Sequence, residues 1–186
     1  HGAHAKYMKC PANTLVMLRE DISFKSGAAI SCGTGTAWGA IDRLSLRSHE
    51  TLAVFGLGPV GLSAVMIASS MGVNVIALDT NQKRLNRAKS FGAGNILNPL
   101  KSDNVLDAIK DLTKGLGAHA SIDASSSPEA RSQSIKCLQT WGKACFVGEG
   151  GNVNIDVSND LLRKQITLIG SWTFSKHGQY LSLIHI

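Results

Sequence analysis

The sequence predicts an α/β fold organised on a doubly wound parallel sheet. Three observations carry that expectation. Short apolar runs alternate with helical stretches from residue 51 to residue 170. The run Thr51-Leu52-Ala53-Val54-Phe55 passes directly into the glycine turn Gly56-Leu57-Gly58-Pro59-Val60-Gly61. A second apolar run, Val73 to Leu78, ends on Asp79. Strand, G-x-G-x-x-G, helix, strand and acid, in that order, are the parts of a βαβ unit that binds a dinucleotide.

Each part has a physical task. Gly56 takes the tight turn off the strand, Gly58 keeps a side chain away from a pyrophosphate, and Gly61 lets the helix approach the sheet. Pro59 suits the first helical turn, where its missing N–H would have no partner. Leu57 and Val60 complete the turn. The helix start then directs free N–H groups and a partial positive charge at phosphate. A carboxylate at Asp79 can accept the hydroxyls of an adenosine ribose.

The remaining elements follow in order. Ala5 to Lys9 reads as a short strand. Residues 10 to 31 read as a crossing segment turned by Pro11 and Asn13, with Leu15, Val16, Met17 and Leu18 available for burial. Residues 34 to 46 read as a helix with Ala37, Ile41 and Leu44 on one stripe and Thr34 or Thr36 as cap. Downstream of the βαβ unit, Asn81 caps a helix over Gln82 to Ser90, and Asn95 to Leu97 forms a third strand. A helix over residues 103 to 114 turns Val105, Ile109 and Leu112 inward. Ala118 to Ala124 is a strand ending near Asp123. Ser127 caps a helix beginning at Pro128 and burying Ala130, Ser134, Ile135 and Leu138. Lys143 to Val147 is a fifth strand, Leu161-Leu162 marks a short helix, and Ile166 to Gly170 is a sixth strand. Parallel strands joined by right-handed crossovers place ligands past the carboxyl ends of the strands. Gly56 to Gly61, Asp79, Ala124-Ser125 and Val147-Gly148 therefore share one edge.

Composition narrows the function classes. A hydrophobic share of 44% against 17% charged residues describes a globular protein, and no apolar run reaches membrane-span length. The formal charge is +6, but the basic residues are scattered and no nucleic-acid motif accompanies them, so neither a nucleic-acid nor a membrane partner is expected. The acid-free run Lys83, Arg84, Arg87, Lys89 reads either as a solvated helix face or as one whose first turn reaches a cofactor's adenosine end. The start shows no charged-then-apolar leader. The cysteines Cys10, Cys32, Cys137 and Cys145 form no C-x-x-C, so reduced thiols and a cytoplasmic setting are expected. Cys10, Cys137 and Cys145 read as small core residues. His49, in the polar loop before the first strand, lies at the wrong end of the sheet for catalysis and reads as a surface histidine.

Together, Cys32-Gly33-Thr34-Gly35-Thr36-Ala37-Trp38-Gly39, the glycine turn at Gly56 to Gly61, and Leu161-Leu162-Arg163-Lys164-Gln165 leading to Ile169-Gly170-Ser171-Trp172 resemble the zinc-dependent alcohol dehydrogenases of the medium-chain dehydrogenase/reductase superfamily. The resemblance implies a Rossmann domain for NAD over residues 34–180. It makes residues 1–33 the tail of a GroES-like catalytic domain and its crossing segment. Residues 181–186 match a translated library adaptor and are read as non-native, so the chain is expected to be the cofactor half of a longer protein.

The resemblance also implies roles. Cys32 would be one ligand of the catalytic zinc, the alternative being a buried thiol at a domain junction, and no complete catalytic centre is expected in this chain. Gly56, Leu57, Gly58, Pro59, Val60 and Gly61 would cradle the pyrophosphate. Asp79 and Arg84 would hold the adenosine ribose, Thr36 would lie near the nicotinamide, and Val147 would offer backbone to its carboxamide. Ser125 and Thr173 are further candidates. A 2′-phosphate beside Asp79 would set like charges together, so NAD is expected over NADP. The implied reaction is hydride transfer between a small alcohol or polyol and NAD, with zinc as Lewis acid and a homo-oligomeric parent. The chain alone is expected to bind cofactor weakly and turn over nothing. The rival readings are a zinc-free quinone or enoyl reductase of the same superfamily, a methyltransferase, and a non-catalytic NAD-binding module.

Overall fold

The computed structural model describes residues 5–173. Its strands are Thr51–Phe55 (β1), Asn74–Leu78 (β2), Asn95–Leu97 (β3), Ala118–Asp123 (β4), Leu138–Phe146 (β5) and Thr167–Gly170 (β6). They form one sheet in the order β3-β2-β1-β4-β5-β6, with every neighbouring pair parallel. The chain thus runs outward from β1 in one direction, returns to pair β4 with β1, and runs outward again. That reversal makes a crevice at the carboxyl ends of β1 and β4.

The helices are Phe24–Ala29 (α1), Gly35–Leu44 (α2), Pro59–Ser70 (α3), Gln82–Ser90 (α4), Val105–Leu112 (α5) and Pro128–Lys136 (α6). Successive strand residues point to opposite faces, and the core splits accordingly. Leu52, Val54, Val75, Ala77 and Ile122 pack with Ala37, Ile41, Ala64, Ala68 and Leu85 from α2, α3 and α4. Ala53, Phe55, Ile76, Leu78 and Ala144 pack with Val105, Ile109 and Ile135 from α5 and α6.

Several local expectations are corrected. Ala5 to Lys9 is not a strand, and Tyr7 and Met8 lie exposed. Leu15 and Met17 do not bury either; Met17 is 91% exposed. The helix expected at residue 34 begins ten residues earlier. Ser23 caps α1 by accepting the Ser26 N–H at 3.1 Å, and a π turn over Ile30–Thr34 joins α1 to α2 without a break. Thr34 and Thr36 therefore cap nothing: Thr34 has helical dihedrals and no capping bond. Phe24 is exposed and Gly27 stands within α1, which hides this helix from an apolar-stripe reading.

In α5 the face narrows to Val105 and Ile109, leaving Leu112 exposed. Ser127 sits at the start of α6, but its side chain makes no capping bond. Leu138 belongs to β5, which begins five residues earlier than expected and contains a register shift opposite Ala118 to Ala120. Leu161-Leu162 lies in a π turn over Val157–Leu162. Cys10 is only partly buried, whereas Cys137 and Cys145 are core residues. The adaptor reading of residues 181–186 lies outside the described residues.

Candidate functional site

The glycine turn is built as a close approach between strand and helix. A Cβ on Gly61 would stand 1.8 Å from the Gly56 carbonyl oxygen, so α3 reaches this distance only with glycine there. Gly56 has φ +88°, and a Cβ on it would meet Ser125 backbone at 2.8 Å. Gly58 differs: a Cβ there would meet nothing within 4 Å. The bare backbone at Gly58 faces open space, as a cradle for an approaching phosphate requires. Pro59 opens α3, and the first turn-closing bond is Leu62 N–H to the Gly58 carbonyl at 2.9 Å. The Val60 and Gly61 N–H groups precede it, at the positive end of a 12-residue helix.

Asp79 lies at the end of β2 and is 8% exposed. One carboxylate oxygen accepts the Leu57 N–H at 2.7 Å, and the other accepts the Asn81 N–H at 2.8 Å. The carboxylate therefore locks the glycine turn to the second strand. The Leu57 N–H is consumed in that bond, and its side chain is in the core, so Leu57 shapes the turn without offering a group of its own. Arg84 reaches the same carboxylate from α4, with its Nη1 at 3.6 Å. Asn81 caps α4 by accepting the Lys83 and Arg84 N–H groups at 2.9 and 3.3 Å. Lys83, Arg87 and Lys89 are exposed.

A cleft of about 580 Å³ opens at this edge. Gly56, Gly58, Asp79, Arg84 and Ser125 line it together with Thr80. The donor set suits a dinucleotide: open glycine backbone and helix N–H groups for phosphate, a carboxylate for ribose hydroxyls, and a guanidinium beside them.

The second half of the edge rests on a group that the sequence reading passed over. Asp123, fully buried at the end of β4, accepts Arg131 Nε at 2.9 Å. Its other carboxylate oxygen accepts the Ser125 N–H at 3.0 Å and the Ser125 hydroxyl at 2.7 Å. Arg131 is 7% exposed and donates to the carbonyls of Gly148, Gly150 and Gly151 at 2.7 to 3.1 Å. The Val147 and Gly148 N–H groups both donate to the Asp123 carbonyl at 2.9 Å.

A family model described as "Zinc-binding dehydrogenase" matches residues 59–185. The chain belongs to the zinc-binding dehydrogenases. It is 35% identical over 175 residues to an uncharacterized zinc-type alcohol dehydrogenase-like protein, YphC, of Escherichia coli, covering 94% of this chain and 49% of that protein. It is 35% identical over 157 residues to alcohol dehydrogenase class-2 isozyme 2 of Oryctolagus cuniculus, covering 82% of this chain and 41% of that one. The solved benzyl alcohol dehydrogenase of Acinetobacter calcoaceticus superposes with a TM-score of 0.79 at 31% identity, over 84% of this chain and 44% of its own. The chain spans about half the length of the curated relatives it matches.

Within this member of the family, Cys32 lies in the π turn and is exposed. The turn sits against the start of α3: a Cβ on Gly33 would touch Pro59 Cβ at 3.4 Å, and the Thr34 and Ser63 hydroxyls lie 3.2 Å apart. Among the described residues no group of three or more His, Cys, Asp or Glu side chains could hold a metal ion, so Cys32 by itself is not a metal site. Thr36 is buried in α2, and Val147 follows β5; neither lines the cleft. Thr173 is exposed beyond β6, and His49 is exposed at the opposite end of the sheet. Among the described residues no helix is long and apolar enough to cross a membrane.

Proposed function

We propose that this chain is the NAD-binding part of a zinc-type dehydrogenase that oxidises a small alcohol or polyol. The observation that carries the reading is the pairing of Gly58, whose Cβ would meet nothing, with Asp79, whose carboxylate is held at the same cleft by the Leu57 N–H. Residues 34–180 are the NAD domain in this reading, and residues 1–33 the tail of the catalytic domain. The Val60 and Gly61 N–H groups receive the pyrophosphate, Asp79 binds the adenosine ribose and Arg84 steadies the carboxylate. Ser125 and Val147 serve the nicotinamide half, with Thr36 nearby. The bound nicotinamide supplies the hydride acceptor.

Asp79 favours NAD, because a 2′-phosphate would bring a second negative charge to a nearly enclosed carboxylate. Cys32 is assigned as one zinc ligand, and its exposure in a turn packed against Pro59 supports that role. A cytoplasmic setting and a homo-oligomeric parent complete the reading. Among the described residues strand β6 pairs with β5 alone and is one edge of the sheet, with Trp172 exposed beside it.

Titration of the 186-residue chain with NADH, NADPH and S-adenosylmethionine tests the proposal. NADH is expected to bind most tightly, with no alcohol turnover. Tighter NADPH binding refutes the NAD assignment, and S-adenosylmethionine binding in place of NADH refutes the dinucleotide site.

A further inference from the structure

The two halves of the sheet edge end on two aspartates that are used differently. Asp79 lines the cleft, whereas Asp123 is fully buried, with Ser125 on one carboxylate oxygen and Arg131 on the other. Asp123 has no face left for a ligand. Its partner Arg131 instead gathers the carbonyls of Gly148, Gly150 and Gly151 around one guanidinium. A guanidinium presents its donors as a rigid planar fork, so three carbonyls bound to it fix three peptide planes. The peptide bonds of this turn are trans, so the N–H of each peptide points opposite its carbonyl. The N–H groups of Glu149, Gly151 and Asn152 therefore face away from Arg131, in residues that are exposed.

The turn is also drawn against β4. A Cβ on Gly148 would come within 2.7 Å of the Ser126 nitrogen, and the Val147 and Gly148 N–H groups both bind the Asp123 carbonyl. Asp123 and Arg131 thus tie together the turns after β4 and β5, across β1 from the half that carries Asp79. In a doubly wound sheet the two halves receive the two nucleotides of one dinucleotide.

We propose that Arg131, fixed by Asp123, is a positioning residue that shapes the turn of residues 147–151 to receive the nicotinamide half of the cofactor. This rests on the dinucleotide reading above. Arg131 does not touch the cofactor; it orients the backbone that does.

The variant Arg131→Lys keeps a cation for Asp123 but cannot hold three carbonyls in one plane. Titrating wild type and R131K with NADH and with ADP-ribose, which lacks the nicotinamide, tests the idea. R131K is expected to lose roughly tenfold in NADH affinity while ADP-ribose affinity stays within about twofold. A purely structural Arg131 would lower both equally or neither, and either result overturns the proposal. Hydrogen exchange on the wild-type chain decides independently of whether R131K folds. The amides of Glu149, Gly151 and Asn152 are expected to gain protection with NADH and not with ADP-ribose; equal protection by both, or none by either, overturns the proposal. A wild-type chain that binds neither ligand overturns the dinucleotide reading itself.

Discussion

Gly61 and Gly56 meet as backbone on backbone: a Cβ on Gly61 would lie 1.8 Å from the Gly56 carbonyl oxygen. The whole glycine turn depends on that approach, because the carbonyl belongs to the residue leaving β1 and the Cβ would belong to the first turn of α3. Gly61→Ala is expected to destabilise the chain by about 2–3 kcal/mol, the range for overpacking a site that cannot relax. Gly58→Ala is expected to leave stability within about 0.5 kcal/mol, as a substitution touching nothing. Its methyl would project into the cleft, so dinucleotide affinity should fall. Urea denaturation paired with NADH titration separates the two; equal stability losses would refute the distinction.

In the proposed reading, Asp79 is the selectivity element. Asp79→Asn keeps an oxygen for the Leu57 N–H but removes the charge that opposes a 2′-phosphate. The preference for NAD over NADP is expected to shrink by about tenfold, on the order of one charge–charge contact near Arg84. Competition titrations with the two cofactors measure it. An unchanged preference would mean that discrimination lies elsewhere in the cleft.

Arg131 and Asp123 form a buried pair, at 7% and 0% exposure, so solvent does little to screen it. Arg131→Met is expected to cost about 3–5 kcal/mol by stranding the Asp123 carboxylate. Adding Asp123→Asn should recover part of that loss, since the stranded charge is then gone. Denaturation of the two single variants and the double variant gives the coupling. Additive losses would show that the pair is not energetically linked.

These elements also show what could be read from the sequence. The βαβ unit was legible because its signals are local: an apolar run, glycines at fixed offsets, an N1 proline and a terminal acid. Asn81 as the cap of α4 was legible for the same reason. Arg131 was not. A charged residue within α6 reads as surface, and only the packing of β4, α6 and the 148–151 turn brings it onto Asp123. A buried acid ending β4 at Asp123, with an arginine about one turn into the next helix, was the available signal. Helix α1 escaped because Gly27 and an exposed Phe24 break its stripe, although Ser23 offered a cap three residues before Ser26. The polar sequence alone could not tell whether Cys32 was exposed, since that depends on how the π turn rests on Pro59.

The cysteines give the final prediction, in two parts. Burial pushes the Cys137 thiol up to about 12 and the Cys145 thiol up to about 11, from 9.0. Both should resist thiol reagents in the native chain near pH 8, whereas exposed Cys32 should react. The same shifts fix the sign of the alkaline pH dependence. Above pH 9 the unfolded chain releases both protons while the folded chain retains them, so the unfolded state binds fewer protons. Stability is therefore fully present below pH 9 and is lost as pH rises through about 11 and then about 12. Replacing both residues with alanine should flatten this alkaline slope while lowering stability at pH 7 through lost packing. Denaturation midpoints measured between pH 8 and pH 11 check it. A slope that survives the double substitution would assign the alkaline transition to other groups.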